Sequence, residues 1–425
     1  MTCFSNGKGS PAPSDIQGMI NSCDLNDSQA AAVLGCIGMR DCNHQNPVKL
    51  IWGPPGTGKT KTVGVLLHAL LKMKCRTLTC APTNIAVLEV ATRLLRLAKD
   101  SLEYDSYGLG DIVLFGNGER MKIDHRDDLV DVFLDYRAHV LGKCFAPLTG
   151  WRNGLESMIS LLDDPKSQYE IYLEKREEEK RKEEKRKEEK RKGEKIKEEN
   201  NKGNDDLKKV ADVPLTFEEF SKKIFCSIHE QLKFCMVNLY THLPTSLLPL
   251  EVVKKMRKAL TLLQSHETLL CGVRVKNEGL KQVLSNYNFQ DTGSSVGCLA
   301  KLSMRGECLR LLRDLQLSLT SSVPVLTENY SIKNFCLGNA CLVFCTASSS
   351  SKLHAEGNIP LKFLVIDEAA QLKECESAIP LQLPGLRHAI LIGDERQLPA
   401  MVKSEVRVLS LVLWSLQIMN IFHFV

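Results

Sequence analysis

The stretch Gly53-Pro54-Pro55-Gly56-Thr57-Gly58-Lys59-Thr60 constrains the chain more than any other. It follows the apolar run Leu50-Ile51-Trp52 and leads into Val63, Leu66, Leu67 and Leu70, spaced as one packed helical face. Strand, glycine-rich turn and helix in that order are the context in which such a turn cradles phosphate. Glycines at 53, 56 and 58 let the backbone turn tightly and bring its N–H groups to phosphate oxygens. The helix start adds the positive end of its dipole. Lys59 can then reach the β- and γ-phosphates of a nucleotide, and the Thr60 hydroxyl can hold Mg²⁺. An incidental glycine-rich turn is the competing reading, and the flanking strand and helix weigh against it.

The rest of the chain must say what a nucleotide does here. Its 425 residues leave room for about three domain-sized pieces. At 43% apolar and 25% charged residues it has the composition of a soluble globular protein with a sizeable core. A net charge of +5 is too small to argue alone for a polyanionic partner. The sixteen cysteines contain no C-x-x-C spacing, so reduced core thiols are expected, and Cys42 with His44 lacks a partner pair for zinc. Met1 to Ser14 lacks a secretory pattern, which points to the nucleus or the cytoplasm.

Taken in order, residues 1–22 read as a flexible lead-in, rich in serine, glycine and proline. Residues 23–115 alternate helix and strand: a helix capped by Asn26 or Asp27, the glycine-rich turn, a strand over 76–81, a helix after Asn84 and a strand over 111–115. That alternation predicts an α/β fold with a parallel sheet, whose ligands sit at the carboxyl ends of strands. Residues 116–335 lose the alternation and read as a mostly helical insertion. Stripes there run from Phe217 to Leu239, Val253 to Leu263 and Leu302 to Leu319, with Arg305, Arg310 and Arg313 read as a solvated face. Within it, 174–199 repeats Glu-Glu-Lys-Arg-Lys and offers i,i+4 pairs from Glu178 to Lys182, Glu183 to Lys187 and Glu188 to Lys192. A five-residue step turns about 140° on a helix, so charge covers every face and no core-facing stripe exists. The segment is an exposed helix or a disordered spacer, and its Lys-Arg-Lys clusters allow a nuclear-localisation role.

The sheet pattern returns over 336–404. Ala340–Cys345, Phe363–Ile366 and Ala389–Ile392 are apolar runs that release polar residues at their carboxyl ends. Asp367 can hold Mg²⁺ with Thr60, and Glu368 can orient and deprotonate a water for attack on the γ-phosphate. Gln397, beyond the next strand, is placed to sense the γ-phosphate or that water, with Asp394 and Arg396 nearby.

Leu25-Asn26-Asp27-Ser28-Gln29, the turn at 53–60, Ala81-Pro82-Thr83-Asn84, Asp367-Glu368-Ala369-Ala370-Gln371 and Gly393-Asp394-Glu395-Arg396-Gln397-Leu398-Pro399-Ala400 occur in this order. The set resembles a superfamily 1 helicase of the senataxin and nonsense-mediated-decay type. The resemblance implies a RecA-like P-loop sheet flanked by helices, ATP and Mg²⁺ as ligands, and movement on single-stranded RNA or DNA. It implies that Gln29 reads adenine and that Pro82, Thr83, Asn84, Thr346, Ala347 and Ser348 touch the nucleic-acid backbone. It further implies a stalk or prong for the insertion, and RNA-processing proteins as partners. Such helicases carry a β-barrel before Gln29, where 24 residues cannot hold one, and a second RecA-like domain where 21 residues follow Ser404. The expectation is a first motor lobe: an ATP-binding module, slow to hydrolyse alone and unable to unwind. The apolar tail 405–425 does not resemble the family. Arg407, Gln417, Asn420 and His423 interrupt it, so an aberrant terminus is expected rather than a membrane anchor.

Overall fold

The computed structural model describes residues 13–41, 47–194, 214–272, 296–354 and 360–394. They form two compact units, one built from residues up to 142, 238–247 and from 326 onward, the other from 143–237 and 248–325.

The first unit is a parallel sheet with helices. Its strands are β1 (Val48–Trp52), β2 (Thr77–Ala81), β3 (Ile112–Leu114), β4 (Leu342–Thr346), β5 (Phe363–Ile366) and β6 (His388–Gly393). They lie in the order β1-β6-β5-β2-β4-β3, every neighbouring pair parallel. β2 to β6 are short, apolar and buried, as strands covered on both faces must be. β1 differs. It is the edge of the described sheet, and Leu50 and Trp52 are 66% and 56% exposed, so this apolar run does not read as core.

Helices α1 (Ser14–Ser22), α2 (Asp27–Ile37), α3 (Lys59–Lys72) and α4 (Asn84–Ala98) belong to this unit. Val63, Leu66, Leu67 and Leu70 of α3 are fully buried, as their spacing predicts. The expected flexible lead-in is corrected by α1: Ile16 and Ile20, one turn apart, bury into the sheet core and hold residues 14–22 helical. The short α5 (Gly118–Met121) and most of α6 (Leu134–Phe145) follow β3. Residues 116–142 were expected in the insertion but belong with the sheet. Met121, Ile123, Leu129, Val132 and Phe133 join its core, and the Phe115 N–H donates to Phe344 O at 2.9 Å.

The second unit is helical. It contains α7 (Trp151–Asp163), α8 (Pro165–Glu194), most of α9 (Phe217–His242), α10 (Leu250–Gly272) and α11 (Val296–Ser322). The predicted stripes form its core through Phe220, Leu232, Cys235, Val253, Met256, Leu263, Leu312 and Leu319. Arg305 is a correction. It is buried, not solvated, and donates from Nε to Leu162 O at 2.6 Å and from Nη2 to Asp163 O at 2.9 Å, closing the carboxyl end of α7. The charged repeat resolves as helix through Glu194, exposed over 181–186, with Lys182 paired to Glu178 at 3.0 Å. The other two pairs lie outside the described side chains. α12 (Asn329–Asn339) and α13 (Glu374–Leu381) return to the sheet unit. Among the described residues no helix is long and apolar enough to cross a membrane, and the tail 405–425 lies outside them.

Three buried histidines make stability depend on pH. Burial, aided by Lys72, lowers His68 to about 4; burial and Arg137 lower His242 to about 3; burial and Arg305 lower His266 to about 4. Each stays neutral in the fold and takes a proton on unfolding. Their contribution is whole above the ordinary histidine range near ~6.5 and falls as pH drops from there toward about 4. Urea unfolding at pH 5 should show a loss on the order of 1 kcal/mol per histidine against pH 7. Equal or greater stability at pH 5 would refute their burial as neutral groups.

Candidate nucleotide-binding site

The site is built where β1, β5 and β6 end. β1 runs out at Trp52, and the turn 53–58 carries Gly56 and Gly58 at φ +81° and +79°, left-handed values that side chains resist. Lys59 opens α3, and its Nζ donates to Gly53 O at 2.6 Å and to Pro54 O at 3.2 Å. The lysine thus folds back onto the carbonyls of its own turn. Thr60, next on α3, is exposed.

Asp367 leaves β5 beside this turn, its N–H donating to Cys80 O at 2.9 Å. It is buried. Burial and then the adjacent Glu368 charge push its carboxyl up to about 6, while a backbone hydrogen bond and Lys59 pull the other way. Its proton uptake therefore opposes that of the histidines. Glu89 of α4 also raises it, a carboxylate that no motif in the sequence marks. A carboxylate this short of compensation gains from a cation, and hydroxyl plus carboxylate oxygen donors suit Mg²⁺. Among the described residues no group of three His, Cys, Asp or Glu side chains is arranged to hold a metal. Thr60 and Asp367 fit Mg²⁺ as it is held in phosphate sites, where phosphate and water oxygens complete the shell.

Glu368 sits at φ +51°, an uncommon value for a residue with a side chain, and Gln371 donates from Nε2 to its Oε2 at 2.9 Å. Sequence reasoning quoted Gln371 only as part of a motif; its role as the holder of Glu368 emerges from the geometry. Gln397 and Arg396 lie outside the described residues.

Gln29 reaches the site from α2. Its side chain accepts from the Asn26 N–H at 3.0 Å, its own N–H donates to Asn26 Oδ1 at 2.9 Å, and Nε2 donates to Thr57 O at 2.9 Å. The first two bonds make a capping box. The third ties α2 to the glycine-rich turn.

The remaining predicted residues gather elsewhere along the same sheet end. Ala81 of β2 pairs in register with Thr346 of β4, and the Ala347 N–H donates to Ala81 O at 3.1 Å. Pro82-Thr83-Asn84 and Thr346-Ala347-Ser348 are therefore side by side. Thr83 caps α4, accepting from the Ala86 N–H at 3.2 Å, and Thr346 Oγ1 donates to Ser349 Oγ at 2.8 Å. Both turns have a structural duty of their own.

A family described as an AAA domain matches residues 24–227 and 311–405, more than half of the chain. The chain belongs to the AAA domain family. Its matches among known proteins are superfamily 1 helicases, and they cover part of a first RecA-like domain. It is 41% identical over 85 residues to the ATP-dependent helicase NAM7 of Saccharomyces cerevisiae, 20% of this chain and 8% of that protein. It is 29% identical over 189 residues to Helicase sen1 of Schizosaccharomyces pombe, 37% of this chain and 10% of that protein. It is 45% identical over 58 residues to DNA-binding protein SMUBP-2 of Rattus norvegicus, 14% of this chain and 6% of that protein. This AAA domain chain thus spans a tenth or less of the length of these relatives. The α/β fold with its six parallel strands agrees with the RecA-like expectation.

Proposed function

We propose that the chain binds Mg-ATP at the glycine-rich turn and hydrolyses it to move on single-stranded RNA or DNA, as the first motor lobe of an ATP-dependent helicase. The observation that carries this reading is the convergence of Lys59 with the buried Asp367 and the held Glu368 at the ends of β1 and β5. On this reading Gly53 to Gly58 wrap the phosphates with backbone N–H groups. Lys59 exchanges the carbonyls of Gly53 and Pro54 for phosphate oxygens. Mg²⁺, held by Thr60 and Asp367, would neutralise charge on the phosphates. Glu368 orients the attacking water and takes its proton, Gln29 reads adenine, and Gln397 senses the γ-phosphate. The adjoining turns at Pro82–Asn84 and Thr346–Ser348 give a strand two neighbouring backbone contacts. The printed descriptions of the relatives, ATP-dependent helicase and DNA-binding protein, support the same assignment. A nuclear location and RNA-processing partners are proposed with it, the first supported by the Lys-Arg-Lys clusters of α8.

A second reading, an ATP-binding module that engages nucleic acid or a partner without motor activity, is favoured by a match that covers a first RecA-like domain alone. Transition-state arginines from a second lobe are worth about 10³–10⁵ in rate. Steady-state ATP hydrolysis with and without single-stranded RNA or DNA tests the pair. Slow turnover with Mg-ATP bound is expected of this chain by itself. Brisk, strand-stimulated turnover would instead assign the complete motor to it.

A further inference from the structure

The Gln29 amide is held by two backbone groups whose roles cannot reverse. The Asn26 N–H can only donate, and it donates to Oε1 at 3.0 Å; the Thr57 carbonyl can only accept, and it accepts from Nε2 at 2.9 Å. Turning the amide over would set N–H against N–H and C=O against C=O. A second tether, Lys61 Nζ donating to Asp24 O at 2.6 Å, holds the segment before α2 to α3 and so steadies the frame that carries the amide. A primary amide offers two N–H donors and two lone pairs on its oxygen. With one of each committed, one donor and one acceptor remain. Adenine presents the complement, an N6 amino donor beside the N7 acceptor, whereas guanine presents two acceptors, O6 and N7.

We propose that the Asn26 N–H and the Thr57 carbonyl lock the orientation of the Gln29 amide, and that this lock is what sets the preference for adenine over guanine nucleotides. The inference rests on the Mg-ATP reading above and goes beyond it: base choice is made by positioning groups behind Gln29 as well as by Gln29 itself. Released from the lock, the amide can turn its NH₂ group toward both guanine acceptors, and discrimination falls. Asn26 acts through Gln29 and is a positioning residue.

Two substitutions at one position separate the lock from the helix cap. Asn26→Ala removes the Oδ1 cap and keeps the backbone N–H. Asn26→Pro removes the N–H as well, at a φ of −74° that the proline ring accommodates. Dissociation constants for ATP, GTP and inorganic triphosphate, measured with Mg²⁺ by competition against a fluorescent nucleotide on the full chain, give the readout. The wild type should prefer ATP by about tenfold or more. Asn26→Ala should keep that ratio, Asn26→Pro should cut it about threefold or more through tighter GTP binding, and triphosphate affinity should not move. Equal ratios in the two variants, or a wild type that binds both nucleotides alike, would overturn the lock. Should Asn26→Pro not fold, Gln29→Met decides. It should bring ATP down to the GTP level with triphosphate binding unchanged, and an equal loss for all three ligands would mean a merely structural contact. A wild type that binds none of the three would count against the Mg-ATP reading itself.

Discussion

Glu368→Gln is expected to lower ATP hydrolysis by about 10²–10⁴-fold while leaving ATP binding intact. The carboxylate is the group at the end of β5 that can take a proton from water, and Gln371 holds it at 2.9 Å. Glutamine preserves size and the backbone but removes the base. A companion change separates chemistry from strain. Glu368 occupies a left-handed backbone conformation, which costs a residue with a side chain roughly 1–2 kcal/mol. Glu368→Gly should therefore be as inactive as Glu368→Gln yet melt at the same or a higher temperature, once the unfolded-state entropy of glycine is counted. Single-turnover hydrolysis beside thermal melts measures both. A glutamine variant that keeps most of its activity would remove Glu368 from the chemistry.

Gly110→Ala is expected to destabilise the sheet unit by about 3 kcal/mol or more. A Cβ there would lie 2.1 Å from Leu243 O and 2.3 Å from the Leu243 carbonyl carbon, backbone atoms that cannot swing aside as a side-chain tip can. The same spot is braced by the buried Arg137, whose guanidinium donates to Gly110 O, Leu109 O and Ile112 O. Residues 238–247 must shift for the methyl group to fit, and the carbonyls around Arg137 would lose their donors. Urea unfolding with no measurable loss would show that this approach is looser than described.

What the sequence discloses follows from how local each cause is. Strands β2 to β6 and helix α3 were legible because apolar residues at strand or helix spacing bury wherever a parallel sheet forms. The glycine-rich turn was legible because its chemistry demands those residue types at that spacing. Long-range placement was not. Leu50 and Trp52 look like core until β1 is found at the edge of the described sheet. Arg305 looks like a solvated cation until the end of α7 is placed against it. Ile16 and Ile20 lie in a stretch whose glycine and proline content reads as loop, and only the core they enter makes them helical. The second bond of Gln29, to Thr57 O, joins residues far apart in sequence and leaves no local trace.

The central claim is that the turn at 53–60 and Asp367 together form an Mg-ATP site. Equilibrium titration with a fluorescent ATP analogue, with Mg²⁺ and with chelator, on the wild type and on Lys59→Ala, tests it most directly. The account predicts saturable binding to the wild type that weakens at least about tenfold without Mg²⁺, and weakens as much in Lys59→Ala, whose circular dichroism stays that of the wild type. Binding of equal strength in Lys59→Ala, or no saturable binding to the wild type, would contradict it.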